Sequence, residues 1–504
     1  MIQSLRILRK DARHLWPELT LHTALLIAFA WIIQLTRQSD GARGTPWVNV
    51  SLFFVRVLIP ILWLVLTSRL VHDESLVGDQ QFWITRPYTW PSLLGAKLLF
   101  LAAFVWLPFL IMQGALLALS GVNPFLAIPS LLHNLLFLIL IAFLPFLALA
   151  SITSTFPRLA LAIIGTILYF IAGAATLAYF VGLRSSPPAV AIAVLILAAL
   201  AVLGVLTYQY ATRRTLIARI ALYAIPSLIV VLGLAVPAGP LFRHSYPVDT
   251  TATLTYIADP AMHESQLGVR AVFNHNLTVN IPTHLTGLAP DTQLQPTSVA
   301  YTIDGPGLHY AAPWQYGGSG SIAVPEKILD ALGDTPVHLH LSIAAASLVP
   351  GTPATITANQ RFTLPGDGVC VFPGDNSDDT TETPRCSFPF HVGAAIVSAP
   401  LSPVPCTQYS AADPNQMRTG AINFHQQPPL PAFDPVARQY LSPGAGFLCP
   451  GAPLTYTPMV SGPNRRFELD IPSIQLSAYI LHINPRLRIP QFPPNAPPPQ
   501  EPQP

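Results

Sequence analysis

The sequence predicts a bundle of transmembrane α-helices followed by a β-rich, sandwich-like domain, and three observations lead to this fold class. First, 51% of the 504 residues are hydrophobic and only 10% are charged, whereas soluble proteins are about 25% charged. Second, no Asp or Glu occurs between Asp79 and Asp249, as expected where a carboxylate would lie in hydrocarbon. Third, from about residue 240 the long apolar runs give way to short alternating segments between Pro-rich and Thr-rich turns.

Seven apolar segments predict about seven membrane spans. A helix needs roughly 20 apolar residues to cross the hydrocarbon core of a bilayer. The first and last segments are shorter than this, so we expect them to extend into flanking residues. Pro60, Pro108 and Pro145 are expected to kink their helices, which membrane bundles tolerate. The segments are residues 21–35, 48–70, 98–119, 131–150, 159–181, 189–208 and 220–236.

Residues 1–19 predict an amphipathic helix at the membrane interface. Apolar residues recur there at helical spacing, and basic residues cover the rest of the helix surface. The alternative is a plain extension of the first span. No small-residue cleavage motif closes the first apolar run, so we expect that span to remain as an anchor. The interfacial residues are Arg6, Arg9, Lys10, Arg13 and Trp16.

The distribution of Lys and Arg predicts the orientation of the spans. With a cytoplasmic N-terminus, most basic residues near span ends fall on the cytoplasmic side, and only Arg37, Arg43 and Arg184 fall opposite before the last span. An odd number of spans then places the C-terminal domain outside. We therefore expect a multi-pass protein of a bacterial-type plasma (inner) membrane. The net charge of +2 offers no strong field for nucleic acid, so no such partner is expected.

The four cysteines, Cys370, Cys386, Cys406 and Cys449, all lie in the last third of the chain. An even number confined to one soluble region predicts two disulfides in an oxidising compartment. Sequence order favours Cys370–Cys386 and Cys406–Cys449, although all three pairings remain open. Free thiols are the alternative.

The sequence divides into four parts. An interfacial helix (1–19) precedes the transmembrane domain (20–238). An extracytoplasmic β-rich domain (240–490) and a disordered Pro-rich tail (491–504) follow. Within the β-rich domain, residues 337–343 alternate apolar and polar side chains, which is typical of a half-buried strand.

The loop between the second and third segments is too polar for lipid and rich in aromatic residues. It holds an acidic residue, a glycine, a proline and a lysine in the order Glu74, Gly78, Pro87 and Lys97, with Trp83 and Arg86 between them. This order resembles the cytoplasmic loop of ABC-2-type transporter permeases. The N-terminal helix similarly resembles the interfacial elbow helix of that family. The resemblance covers about residues 1–215, with a six-span core, and the last span is additional.

The resemblance implies the membrane half of an exporter. Two permease subunits, either a homodimer or a pair, would bind separate cytosolic ABC ATPases, and the loop Glu74–Lys97 would transmit the closure of the ATPases to the helices. The chain contains no phosphate-binding G-x-x-x-x-G-K-[ST] loop, so ATP hydrolysis needs a partner. The second hypothesis is a membrane-anchored extracytoplasmic binding or assembly protein. The large external domain and the seventh span are not standard for the family.

Other candidate sites are weaker. Arg56 lies inside a predicted span and is either functional or reaches the interface. His338 and His340 share a strand face, which can bind metal but is more often a solvated face. Acidic residues at 375–382 lack the ligand order of an EF-hand. We therefore expect no metal, no cofactor and no enzymatic activity, with membrane lipid as a partner and a lipidic or amphiphilic substrate.

Overall fold

The computed structural model describes most of the chain, and contacts between residues divide it into two compact units. The first unit comprises Met1–Tyr179, Val190–Ala235 and Pro350–Val460; the second comprises Phe180–Ala189, Val236–Val349 and Ser461–Pro504. The residues described are 2–38, 46–73, 89–181, 188–235, 238–258, 269–270, 272–273, 276–289, 292–315, 320–365, 368–372, 384–389, 394–402, 406, 418–424, 433–440 and 446–483.

The helices are confined almost entirely to the first half of the chain. They are α1 (Ile2–His14), α2 (Trp16–Gln38), α3 (Pro46–His72), α4 (Trp90–Leu101), α5 (Leu107–Leu119), α6 (Ile128–Leu138), α7 (Leu144–Ile152), α8 (Phe156–Val181), α9 (Pro188–Thr212), α10 (Thr215–Ala235), α11 (Ala238–Ser245) and α12 (Glu326–Leu332).

Seven helical stretches among the described residues are long and apolar enough to cross a membrane, which confirms the predicted number. As expected, the first and last extend beyond their apolar cores. The stretches are Trp16–Arg37, Trp47–His72, Trp90–Leu119, Ile128–Ile152, Phe156–Gly173, Val190–Thr212 and Thr215–Gly233.

Two of the three prolines that were expected to kink their helices follow a π-helical turn. A π-helical turn at Ala102–Trp106 precedes Pro108, and another at Ile139–Phe143 precedes Pro145. Proline lacks an N–H and its ring clashes with the carbonyl four residues back. In both spans that carbonyl lies within the π turn, which relieves the clash. Pro60, in contrast, lies inside the uninterrupted helix α3.

The strands follow the helices. They are β1 (Thr253–Tyr256), β2 (Val269–Arg270), β3 (Val272–Phe273), β4 (Asn276–Asn280), β5 (Thr283–Thr286), β6 (Gln293–Gly305), β7 (Leu308–Gln315), β8 (Ser321–Pro325), β9 (Val337–Pro350), β10 (Ala354–Thr357), β11 (Arg361–Leu364), β12 (Gly368–Val371), β13 (Arg385–Pro389), β14 (Ala395–Leu401), β15 (Arg418–Phe424), β16 (Val436–Tyr440), β17 (Pro453–Ile474) and β18 (His482–Ile483).

In the second unit, β9 is central in the strand order β17-β9-β6-β7. The predicted alternation is confirmed from Val337 to Leu341, where Val337, Leu339 and Leu341 are buried while His338 and His340 are only half-buried. It fails at Ser342, which is buried like its neighbours Leu341 and Ile343. One face of this sheet therefore joins the hydrophobic core, with Ile303 of β6 packed in the same cluster.

In the first unit, residues Pro350–Val460 form a region that we call the disulfide domain. Its strands form two sets, β11-β12-β13-β16 and β15-β14-β17, with β10 also paired to β17. A single core contains residues from both sets, including Phe388 and Val397. The predicted pairing of cysteines is confirmed, because Cys370 is bonded to Cys386 and Cys406 to Cys449. From the sequence we predicted one boundary, near residue 240, between the helices and a single β-rich domain. The disulfide domain instead belongs to the same compact unit as the helices.

Candidate functional site

A buried ion pair joins the N-terminal helix α1 to the third span. Lys97 Nζ on α4 lies 2.8 Å from Asp11 Oδ2, and the two side chains are only 1% and 5% exposed. Asp11 lies between Ile7 and Leu15 on the buried face of α1. A carboxylate on an otherwise apolar helix face requires a partner, and Lys97 is that partner. We call this end of the bundle the α1 end.

Two further charge pairs surround this ion pair. Arg69, near the end of α3, pairs with Glu18 at the start of α2. His14 Nε2 lies 3.4 Å from Asp73 Oδ2, just after α3. The last described residue before the predicted coupling loop is therefore attached to α1. Helix α4 follows that loop, and its residue Lys97 is also paired with α1.

Of the predicted coupling residues, only Lys97 lies among the described residues. It is buried, so it stabilises the packing of α1 and does not face solvent. Glu74, Gly78, Trp83, Arg86 and Pro87 lie outside the described residues.

The predicted interfacial residues are described. Arg6, Arg9, Lys10 and Arg13 are exposed on α1, and Trp16 is 65% exposed at the start of α2. The basic residues thus lie on the exposed side of α1, while Ile7 and Asp11 on its other side are buried against the bundle.

Polar contacts also join the spans near the same end, and the sequence did not single them out. His72 Nε2 on α3 lies 3.1 Å from the Ala150 carbonyl of α7. Arg219 Nη2 on α10 donates to the carbonyl of Ile152 at 2.9 Å. Both carbonyls belong to the last turn of α7, where carbonyl oxygens lack N–H donors from their own helix. A helix end of this kind has no sequence signature beyond its position.

At the opposite end of the bundle, the disulfide domain is anchored by Arg37. Its Nη2 lies 2.7 Å from Asp434 Oδ1, and the Arg37 side chain is 8% exposed. Arg37 Nη1 also donates to the carbonyl of Leu116 at 3.0 Å and to Ser120 Oγ. One guanidinium thus joins α2, α5 and the disulfide domain.

The neighbour of Asp434, Phe433, enters an aromatic cluster of the helices. Its ring stacks on Trp63 with centroids 5.5 Å apart. It also meets Phe109 edge-on at 5.8 Å and Phe29 at 5.9 Å. The Trp63 indole N–H donates to His22 Nε2 at 2.9 Å, which orients the ring that Phe433 contacts. We call Phe433 and Asp434 together the plug.

A second contact fixes the disulfide domain on the helix bundle. Val369 and Val436 share a buried cluster with Leu117 and Val122, which flank the end of α5. Gly121 has a φ of +79°, and a Cβ added there would collide with the side chain of Arg361. Glycine is therefore required for the backbone conformation, whereas the Arg361 guanidinium is the end of a flexible side chain and can shift away.

Arg56, the intramembrane candidate, lies exposed on the surface of α3. Among the described residues, Arg56 forms no ion pair. Its exposed position suits a side chain that reaches the membrane interface.

In the second unit, His338 and His340 belong to a row of histidine and aspartate side chains across the sheet. His338 Nε2 lies 2.7 Å from Asp470 Oδ1, and its Nδ1 lies 3.7 Å from Asp304 Oδ2. A hydrogen bond with His309 lowers the pKa of the Asp304 carboxyl, and the charges of His309 and His338 add to this effect. Within the described residues, no group of three or more His, Cys, Asp or Glu side chains is arranged to hold a metal. The acidic run at 375–382 lies outside them.

Asp249, at the start of the second unit's β-rich part, has a pKa well below the ordinary value of an aspartate. Burial opposes its ionisation, but hydrogen bonds from Thr251, Arg465 and Ala252 outweigh burial and lower the pKa to about 2. This carboxylate is therefore a structural anchor that holds Arg465 of β17.

Comparison of the chain with protein-family models, with curated proteins and with solved structures finds no match.

Proposed function

We propose that this chain is the non-catalytic, membrane-spanning permease subunit of an ATP-driven exporter. The observation that carries the proposal is the buried Asp11–Lys97 ion pair, which ties the interfacial helix to the span that follows the predicted coupling loop. Orientation with a cytoplasmic N-terminus and pairing as a homodimer or with a second permease are parts of the same proposal.

The ion pair favours joint movement of these helices. Removing one partner of a buried pair costs about 3–5 kcal/mol, so α1 and α4 remain associated while the bundle moves. Asp73 and Lys97 flank the loop, and both are joined to α1. A force applied to the segment 74–88 would thus reach α1, α3 and α4 together. This is the mechanical requirement of a subunit driven from outside the membrane.

The hydrolysis of ATP would belong to another chain. The sequence contains no phosphate-binding loop, and its helices carry few charges. A lipidic or amphiphilic substrate suits such a bundle better than a small hydrophilic solute does.

The test is co-purification of the full-length protein with a cytosolic ABC ATPase from the same cells. We expect the wild type to recover the ATPase and the double variant Gly78→Trp, Pro87→Ala to lose it. Arg6→Gln, on the outer surface of α1, is the control and should retain it. If the wild type recovers no ATPase, or if the loop variant recovers as much as wild type, the permease proposal is wrong.

The plug favours a second candidate function, a membrane-anchored extracytoplasmic binding or assembly protein. Phe433 packs among Phe29, Trp63 and Phe109, so the disulfide domain closes this part of the helix bundle. Efflux of a fluorescent amphiphile from proteoliposomes that contain the complex with its ATPase separates the two functions. ATP-dependent efflux supports the permease, and its absence from both wild type and Phe433→Ala supports the anchor.

A further inference from the structure

A groove of about 800 Å³ lies between α1 and the first span. Arg9 and Arg13 of α1 line its polar end, Trp16 lines it at the start of α2, and Ile27, further along α2, and Phe104 line its apolar end. The groove thus changes from basic to apolar along its length, as an amphiphile does.

The basic end is suited to a phosphate. Arg9 and Arg13 are one helical turn apart and therefore project on the same side of α1. Among the described residues that line the groove, none is acidic. The nearby Asp11 is turned into the bundle and neutralised by Lys97. Two guanidinium forks with no competing carboxylate match the oxygens of a phosphate group.

The apolar end is suited to one acyl chain. From Trp16 to Ile27 the helix rises about 16 Å, which is roughly half of the ~30 Å hydrocarbon core and thus the depth of one leaflet. The hydroxyls of Thr20 and Thr23 donate to the carbonyls of Pro17 and Leu19, at 2.7 and 3.0 Å. Their polarity is satisfied within the helix, so these residues do not interrupt the apolar surface. Tryptophan at position 16 suits the boundary between headgroups and acyl chains.

We propose that this groove is a binding site for an anionic phospholipid of the leaflet next to α1. The phosphate lies between Arg9 and Arg13, Trp16 borders the headgroup, and one acyl chain lies along α2 against Phe104. The site does not depend on whether the chain transports a substrate.

Native mass spectrometry of the purified full-length protein tests the site. The protein is reconstituted with equal amounts of phosphatidylglycerol and phosphatidylcholine, and the lipid retained after release from the micelle is measured. We expect wild type to retain phosphatidylglycerol preferentially. Each of the substitutions Arg9→Gln and Arg13→Gln should reduce its occupancy about fivefold, since one basic residue contributes about 1 kcal/mol to binding of anionic lipid.

Arg6→Gln is the matched control, because it removes the same charge from an exposed position on α1 outside the groove. It should leave occupancy unchanged. Ile27→Trp, which fills the apolar end, should reduce the occupancy of both lipids. An excess of inorganic phosphate should not displace the lipid.

Four results would overturn the site. These are equal retention of the two lipids by wild type, an equal loss in Arg6→Gln, full retention by Ile27→Trp, and displacement by inorganic phosphate. The last would indicate a site for a free anion.

Discussion

Arg37 and Asp434 form an ion pair at 2.7 Å although 397 positions separate them in the sequence. The pair joins the end of the first span to the disulfide domain, and Asp434 also accepts a hydrogen bond from the backbone of Val436 at 3.1 Å. The ion pair thereby links two parts of the first unit that are far apart in the sequence. Any movement of α2 at this end must either carry the disulfide domain with it or break the pair.

We predict that Asp434→Asn loosens the disulfide domain. The guanidinium of Arg37 is nearly buried, so loss of the carboxylate removes a charge-assisted hydrogen bond worth about 1.5–3 kcal/mol. Hydrogen exchange in strands β11 to β13 of the full-length protein should accelerate. Glu326→Gln, which removes one acid from α12 of the second unit, is the control. Unchanged exchange in Asp434→Asn would show that the pair does not hold the domain.

We predict that Phe433→Ala opens the aromatic cluster. Loss of a phenyl ring from a packed site costs about 3–5 kcal/mol, and the cost here is at the lower end because Phe433 is only half-buried. The emission of Trp63 should shift to longer wavelength as the stacked ring is lost. Phe125→Ala is the control, since Phe125 is 77% exposed, and it should leave the emission unchanged. An unshifted spectrum for Phe433→Ala would contradict the role of the plug.

We predict that Lys97→Met destabilises the packing of α1, and that the double variant Asp11→Leu, Lys97→Met recovers most of the loss. The single variant leaves a carboxylate buried without its partner, which costs about 3–5 kcal/mol. Replacing both charges with apolar groups removes that penalty. The melting temperature of the purified protein reports both effects. If the double variant melts as low as the single one, the ion pair itself contributes the stability.

Much of the fold could be predicted from the sequence because its signals are local. The number of spans follows from apolar length, and the alternation of residues 337–341 follows from one half-buried sheet face. Order along the chain favoured the cysteine pairs that form, and Cys370 and Cys386 stand opposite each other on adjacent strands.

The plug could not be predicted in the same way. Phe433 and Asp434 lie in a short segment before β16 with no periodicity, and their partners lie on helices hundreds of positions earlier. A single sequence contains no signal for a contact of this range. Asp11 shows a related limit, because an acid within a basic amphipathic helix resembles a surface residue until the lysine that neutralises it is placed.

We predict that Asp249→Asn destabilises the second unit at neutral pH, and that the difference from wild type disappears in acid. The folded-state pKa of Asp249 is about 2, below the ordinary value of 3.8. A depressed pKa stabilises the folded state above the unfolded value and loses this effect as pH falls through the folded value. The gap in stability should therefore be constant above about pH 5 and should close between about pH 4 and 2. Resistance of the full-length protein to pepsin across this range measures it. Asp334→Asn, which removes the charge of an exposed carboxylate that accepts a hydrogen bond from Ser477, is the control and should show a much smaller gap. A gap for Asp249→Asn that persists at pH 2 would mean that the carboxylate acts through packing and not through its charge.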